Sequence, residues 1–192
     1  MPQLKTWTVL NEELKQRMWR VCYRDRSNED RYRWEAMCHY CGCREMPLIR
    51  DYIAEHERAM NFGGEAVRAI DRGDLDRARN LLGEMAAELT PHWQGEETGL
   101  FRVMAREDMY AEHIARLVRE HRELAELLAT VDIADHDGQQ AIHDAVFDLH
   151  EHISKEEDGI FPASLTTLSG DEWDASIEAW HAAHPGRRML QQ

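Results

Sequence analysis

The chain has 192 residues, of which 43% are hydrophobic and 31% are charged, and its formal net charge is −14. This length corresponds to about one domain, large enough to bury most of its apolar side chains. The negative charge argues against nucleic acid and anionic membrane surfaces as partners. No apolar run reaches the ~20 residues of a membrane span, and the N-terminus does not resemble a secretory signal. We therefore expect a cytoplasmic protein with no nucleic-acid or membrane partner.

Residues 1–46 are predicted to be an N-terminal extension with a cysteine-rich segment. A weak helical pattern is visible only near Leu10 to Trp19. The extension ends in Cys38-His39-Tyr40-Cys41-Gly42-Cys43. In a cytoplasmic protein we expect reduced thiols that cover one end of the domain. A zinc site that uses the three thiols with His39 or Cys22, or a redox disulfide, is the less favoured alternative.

Two stretches with apolar residues at helical spacing follow the extension. The first spans residues 49–70 and is followed by a turn at 71–74, in which Asp74 is a good helix N-cap. The second spans residues 78–103 and contains Pro91. Either the helix kinks at this proline, or Thr90 caps a new helix in which Pro91 is the first residue.

Two more amphipathic stretches span residues 110–131 and 142–160, separated by a turn at 135–138, and the last ends at Pro162. A short fifth helix is expected from about Glu172 to Ala183. Four long helices with short links predict an all-α fold, an antiparallel up-down-up-down four-helix bundle with extra N- and C-terminal helical segments. The predicted bundle covers residues 47–165, and residues 166–192 form a C-terminal helical tail.

A repeated motif links the second and fourth helices. Residues 92–101 and 152–161 share the pattern His-x-x-x-Glu-Glu-x-Gly-(Leu/Ile)-Phe. A second repeat places Glu55-His56 on the first helix and Glu120-His121 on the third. The bundle is therefore expected to consist of two similar helical hairpins. Each hairpin contributes one histidine from its first helix and a His-x-x-x-Glu unit from its second.

The spacing of the repeat predicts a metal site. Residues i and i+4 lie on one helix face, so each His-x-x-x-Glu unit directs both side chains the same way. Ionisable side chains on an apolar stripe are costly unless they are paired or bind metal. If each metal takes two histidines and both glutamates bridge, two octahedral positions stay open on each metal. An oxo bridge, water, dioxygen or nitric oxide fits there, which favours a paired-metal redox site.

Over about residues 47–162 these motifs resemble the hemerythrin-like, or HHE cation-binding, family. The resemblance implies a four-helix bundle around two iron ions, an oxo- or hydroxo-bridged di-iron centre, with a small diatomic ligand or peroxide as partner. Glu157 is an alternative to Glu156, because oxygen-carrying members place the last carboxylate five residues after the histidine. Carried over by position, the metal ligands would be His56, His92, Glu96, His121, His152 and Glu156.

The chain departs from the oxygen carriers at Leu117, where they have a further histidine four residues before the one that matches His121. This departure favours sensing, or oxidative and peroxide chemistry, over simple reversible oxygen carriage. His113 would replace the missing ligand only if the helix shifted. Ferritin-like di-iron proteins differ further, since they use Glu-x-x-His.

Other residues are assigned to packing or to the surface. Trp93, Phe101 and Phe161 are predicted to pack in the core and to keep the site dry. Glu97 is either a partner of a ligand histidine or part of a solvated face, with the solvated face slightly favoured. His150 is expected near the site or at the surface. The histidines expected to be solvated are His136, His143, His181 and His184.

Three functions compete at this point. The first is a di-iron protein that binds or senses dioxygen, nitric oxide or iron, and the second is a di-iron oxidase or peroxidase-like enzyme. The third is a structural bundle that binds zinc or no metal. No cofactor motif points to an organic substrate, and no feature indicates an oligomeric state.

Overall fold

A computed structural model of the chain describes residues 42–190. Within this range every regular element is a helix, which confirms the predicted all-α fold. The helical pattern near residue 10 and the candidate zinc ligands Cys22, Cys38, His39 and Cys41 lie outside the described residues. Cys43 is buried and begins a short 3-10 turn, Cys43–Glu45, just before the first long helix.

Seven α-helices and one π turn follow this 3-10 turn. In chain order the helices are α1 (Ile49–Asp71), α2 (Leu75–Thr98), α3 (Leu100–Met104), α4 (Asp108–Thr130), α5 (His136–Lys155), α6 (Phe161–Thr167) and α7 (Gly170–Ala183). The π turn, Glu156–Ile160, joins α5 to α6. Helix α1 packs against α2 and α5, and α4 packs against α2 and α5, which closes a four-helix bundle. None of the helices in the described range has the length and apolar character that a bilayer span requires.

Side-chain caps fix where several helices begin. Asp74 accepts a hydrogen bond from the Arg77 backbone N–H at 3.3 Å, which confirms the predicted N-cap of α2. Asp135 caps α5 through the N–H of Gly138 at 2.6 Å. Ser169 and Glu172 form a reciprocal capping box that starts α7 two residues earlier than the pattern suggested. These local interactions set the ends of the elements that carry the site.

Neither proline breaks its helix. Helix α2 continues through Pro91, and Thr90 donates from Oγ1 to the carbonyl of Ala86 at 2.7 Å. The alternative of a new helix capped by Thr90 is therefore wrong. The helical course also does not end at Pro162, which lies in the first turn of α6, where a backbone N–H has no intrahelical partner to lose.

Two apolar cores divide the bundle along its length. One contains Met85, Leu89 and Ile142, and the other contains Tyr52 and Phe161. The histidine and glutamate side chains of the repeated motifs lie between these cores, because the chain supplies apolar residues to one core before each of these histidines and to the other core after it. The fold thus holds a polar layer inside an otherwise apolar interior.

Candidate metal centre

All six predicted ligand side chains are buried between the two cores. Their exposed fractions range from 0 to 5%, for His56, His92, Glu96, His121, His152 and Glu156. Burying a charge without compensation costs several kcal/mol. Six ionisable groups in one buried layer therefore require partners of opposite charge or a bound cation.

The four histidines form two pairs, one in each hairpin. His56 of α1 and His92 of α2 have ring centroids 4.5 Å apart. His121 of α4 and His152 of α5 bring their Nε2 atoms to 2.9 Å. We call these the α1–α2 pair and the α4–α5 pair. In both pairs the Nε2 atoms point toward the centre of the bundle, where the two glutamates lie.

Both glutamates lie between the two pairs. Glu156 places Oε2 at 3.1 Å from Nε2 of His56 and Oε1 at 2.9 Å from Nε2 of His152. Glu96 places Oε2 at 3.4 Å from Nε2 of His92 and at 3.7 Å from Nε2 of His121. Each carboxylate therefore reaches one histidine of either pair, which is the arrangement that a bridging ligand needs.

The ligand atoms meet the geometric requirement for holding cations. Donor atoms of His56, His92, Glu96 and Glu156 all lie within 4.8 Å of one another. Donor atoms of His121, His152 and Glu156 form a second such group. Glu156 belongs to both groups. Two cation positions that share a carboxylate are thus compatible with the side chains as they stand.

Several of these atoms also lack other partners. Within residues 42–190, both oxygens of Glu96, both oxygens of Glu156, and Nε2 of His56 and of His92 are buried without a hydrogen-bond partner. A buried polar atom left unpaired costs about 1–3 kcal/mol. Coordination to a metal would satisfy all six atoms at once. The donors are imidazole nitrogens and carboxylate oxygens, a set that suits iron and also zinc.

A ring of outer glutamates orients the four histidines. Each imidazole is hydrogen-bonded through Nδ1 to one carboxylate at 2.7 to 3.0 Å: His56 to Glu157, His92 to Glu55, His121 to Glu97, and His152 to Glu120. A carboxylate can only accept, so each Nδ1 carries a proton, and each ring in its neutral form then has the Nε2 lone pair available for a metal. Such carboxylate–histidine pairs fix ring orientation and raise ligand basicity.

The structure corrects the interpretation of Glu97 and shows where Glu157 lies. Glu97 was expected slightly more as part of a solvated face, but its Oε1 accepts from His121 Nδ1 at 3.0 Å. Glu157 lies on the outer side of His56, where it also pairs with Arg44 of the 3-10 turn. The π turn that begins at Glu156 directs Glu156 inward and Glu157 toward Nδ1 of His56. Such turns in helices are frequent at functional sites.

The close approach of buried charged groups shifts their pKa values in the metal-free protein. Burial raises the pKa of Glu96, and the nearby Glu156 carboxylate raises it further, well above its usual range. Burial lowers the pKa of His56, but the carboxylates of Glu156 and Glu157 outweigh burial and raise it to about 9. Protonation of Glu96 and His56 thus compensates for the negative charge of the buried carboxylates, and a bound metal cation would compensate for it instead.

Aromatic rings enclose the polar layer, as predicted. Phe161 stacks on His56 with ring centroids 5.8 Å apart, and Phe101 stacks on His121 at the same separation. Trp93 stacks on His121 at 5.2 Å. These contacts repeat across the two hairpins because both phenylalanines end the repeated motif. These rings cover faces of His56 and His121.

The remaining histidines differ in how much of the side chain is exposed. His150, His136 and His181 are exposed, whereas His113 is half-buried and belongs to neither group of ligand atoms. His184 was expected to be solvated, but only 4% of it is exposed, so that expectation was wrong. Its Nε2 lies 3.2 Å from Oε1 of Glu55, one of the outer glutamates. Its position four residues after Trp180 was the available signal, since both then share a face of the tail helix.

Comparison with known proteins gives one match. No curated protein and no solved structure matched the chain. The family description "Hemerythrin HHE cation binding domain" matches residues 48–164, which is more than half of the chain and includes all six candidate ligands. With the buried histidine and glutamate layer, this match shows that the chain belongs to the hemerythrin HHE cation-binding domain family.

Proposed function

We propose that this chain is a non-haem di-iron protein that binds or reacts with dioxygen, nitric oxide or peroxide. The observation that carries the proposal is the pair of central carboxylates. Within residues 42–190, the four oxygens of Glu96 and Glu156 have no hydrogen-bond partner, and a histidine pair lies on either side of them. Bound there, two iron ions would supply open coordination positions and a change of oxidation state.

The protein's own residues would prepare the site for this role. The outer glutamates hold the imidazoles in the metal-binding tautomer. Phe101 and Phe161 cover one face of His121 and of His56, respectively. Leu117, fully buried at the position of the carriers' additional histidine, presents an apolar surface in place of a nitrogen ligand. With one nitrogen ligand fewer, the adjacent metal would have one more position left for an exogenous ligand.

The first test is metal content with an optical spectrum, on protein from iron-rich medium. We expect about two irons per chain with near-ultraviolet charge-transfer bands. Both should be lost in the double variant His92→Ala/His152→Ala. The matched control is His136→Ala/His150→Ala, which removes two exposed histidines and should keep both irons. Zinc or no metal in the wild-type protein, with His92 and His152 dispensable, would contradict the proposal.

A crevice beside the site favours the enzyme alternative, a di-iron oxidase or peroxidase-like activity. The crevice has a volume of about 410 Å³, lies between α4 and α5, and is lined by His121 and His152 among others. A molecule larger than a diatomic gas can therefore approach the α4–α5 pair from solvent. Steady-state peroxide decay by the iron-loaded protein, or oxidation of an added reductant under air, would support turnover. Stoichiometric binding of dioxygen or nitric oxide without turnover would favour a binding or sensing protein.

A further inference from the structure

The tail helix α7 packs directly against α2 beside the metal centre. It lies outside the residues that match the family description. The two helices approach closely because Gly95 of α2, and Gly99 just after its C-terminus, face α7. A Cβ atom at Gly99 would lie 2.9 Å from Cβ of Ala179 and 3.1 Å from the carbonyl of Ser176, and a Cβ at Gly95 would lie 3.5 Å from Cα of Trp180. The α2 surface therefore fits this helix at backbone distance.

Close packing brings Trp180, His184 and Arg187 of the tail to Glu55, with Nη1 of Arg187 3.5 Å from Oε1. Trp180 Nε1 donates to Oε1 of Glu55 at 3.1 Å, and His184 Nε2 lies 3.2 Å from the same oxygen. The other oxygen of Glu55 accepts from Nδ1 of His92 at 2.9 Å. The Trp180 and His184 rings stack with centroids 4.2 Å apart, and His184 Nδ1 donates to the Trp180 carbonyl, which fixes the position of both rings. The tail thus orients His92 through Glu55.

The equivalent position in the other hairpin has no such cover. Glu120 corresponds to Glu55 in the repeat and orients His152, but 26% of its side chain is exposed, against 1% for Glu55. Its second partner is the surface amine of Lys155 at 2.7 Å. Glu120, Lys155 and His152 all line the 410 Å³ crevice between α4 and α5. One half of the repeat is therefore covered by the tail, and the other half opens to solvent.

We propose that the C-terminal tail is a positioning element of the metal centre that makes the two metal positions unequal. It holds Glu55 and hence His92, so that metal at the α1–α2 pair is retained. Metal at the α4–α5 pair exchanges faster through the crevice. This inference rests on the proposed function, because it requires two bound metals. The positioning residues are Trp180 and His184, which act through Glu55 and do not themselves reach the central ligand atoms.

Iron release from the loaded full-length chain tests this inference. Protein loaded anaerobically with two equivalents of Fe(II) is mixed with excess of a chromogenic Fe(II) chelator, and iron release is followed with time. We expect two phases of about one iron each. Both variants keep a stacked aromatic ring: Trp180→Phe removes the hydrogen bond to Glu55, and His184→Phe removes the ion pair with it. Because the loss of a histidine's outer partner weakens metal binding about 10- to 100-fold, each variant should accelerate the slow phase about 3- to 10-fold.

Two matched variants show whether the effect is local. Trp173→Phe makes the same substitution on the same helix at a residue that packs in the Tyr52 and Phe161 core, and it should leave both phases unchanged. Glu120→Gln should accelerate the fast phase alone. Melting temperatures of all variants identify any general loss of stability.

The outcomes separate the inference from the function on which it rests. A slow phase that responds to Trp180→Phe or His184→Phe, with an unchanged fast phase, supports the inference. Two irons released in a single phase, or release rates that the two tail variants leave unchanged, overturn the inference and leave the di-iron proposal standing. A wild-type chain that does not take up two irons overturns both.

Discussion

His121 donates a hydrogen bond from Nδ1 to Oε1 of Glu97 at 3.0 Å, and this bond crosses from one hairpin to the other. The repeat provides its counterpart, since His56 of α1 is bonded at 2.9 Å to Glu157, which follows α5. Each hairpin thus supplies the carboxylate that orients the first histidine of the other. The remaining two bonds, from His92 to Glu55 and from His152 to Glu120, stay within one hairpin.

Replacing Glu97 with Gln tests the contribution of these crossing bonds. The amide oxygen can still accept from His121 Nδ1, but the negative charge that raises the basicity of the imidazole is lost. We expect Glu97→Gln to weaken iron binding about 10-fold, measured by competition with a chelator of known affinity. Glu112→Gln removes an equal charge from an exposed position of α4 and should bind iron as the wild type does. An equal loss in both variants would mean that overall charge, and not the bond, sets the affinity.

Glu96→Gln should change the free energy of unfolding in opposite directions with and without bound metal. In the metal-free protein Glu96 is a buried carboxyl group with no hydrogen-bond partner among the described residues. Its neutral isostere should therefore raise the free energy of unfolding of the metal-free protein by about 1 kcal/mol. With iron present the order should reverse, because the wild type gains binding energy that the variant lacks. Urea unfolding with and without iron measures both effects, and a variant less stable in both conditions would contradict this account.

A surface cluster predicts a pH-dependent contribution to stability. Glu88 is bonded to Arg58 at 2.8 Å and to Arg187 at 2.9 Å. Burial raises the pKa of Glu88, but the two arginines outweigh burial and lower it below the usual value of 4.5. A lowered pKa in the folded state stabilises the protein above the unfolded-state pKa, and this contribution is lost as pH falls through the folded-state pKa.

Glu88→Gln should therefore reduce the free energy of unfolding at pH 7 by about 1 kcal/mol. The difference from wild type should shrink as the pH falls below the usual glutamate value. Urea unfolding of both proteins at several pH values measures it. Glu84→Gln, at an exposed position of the same helix, is the control and should be nearly neutral throughout. A pH-independent difference for Glu88→Gln would indicate lost packing and not lost charge pairing.

The two glycines of the repeated motif should respond differently to alanine. A Cβ at Gly99 would lie 2.7 Å from the carbonyl of Gly95 and would press against α7, whereas a Cβ at Gly159 meets no atom within 4 Å. We expect Gly99→Ala to cost about 1–3 kcal/mol of stability and to expose the tail to proteolysis. Gly159→Ala should be neutral or slightly stabilising. Urea unfolding and limited proteolysis measure the difference, and equal effects at both sites would contradict the asymmetric cover.

Much of the candidate site could be predicted from the sequence because the residue spacing that defines it lies within single helices. The four-residue spacing in His92-x-x-x-Glu96 fixes a shared helix face. The repetition of that unit at His152 and Glu156, with His56 and His121 on the other stripes, predicted one buried layer. The structure brings these side chains together. The fold followed for the same reason, since long amphipathic stretches with short links have few ways to pack.

Two of the errors concern side chains whose surroundings are set by tertiary contacts. His184 looks solvated in its own helix, but Glu55, 129 residues earlier, draws it inside. Glu97 looks like part of an acidic face until His121 of another helix is placed beside it. Pro162 reads as a helix end, yet it occupies a first turn that needs no N–H. For His184 and Glu97 the partner that decides the outcome is remote in sequence, whereas Pro162 is decided by its local position in the first turn of α6.

The hydrogen bonds of Glu97 and Glu157, which cross between the hairpins, also constrain the order of folding and metal binding. Each hairpin by itself has two histidines and one central glutamate, but it lacks the carboxylate that orients its first histidine and the second bridging glutamate. The six candidate ligands come together only after α1–α2 has docked on α4–α5. Because metal-binding free energy adds to folding free energy, a bound metal would stabilise the docking of the two hairpins, and loss of the metal would weaken that docking first.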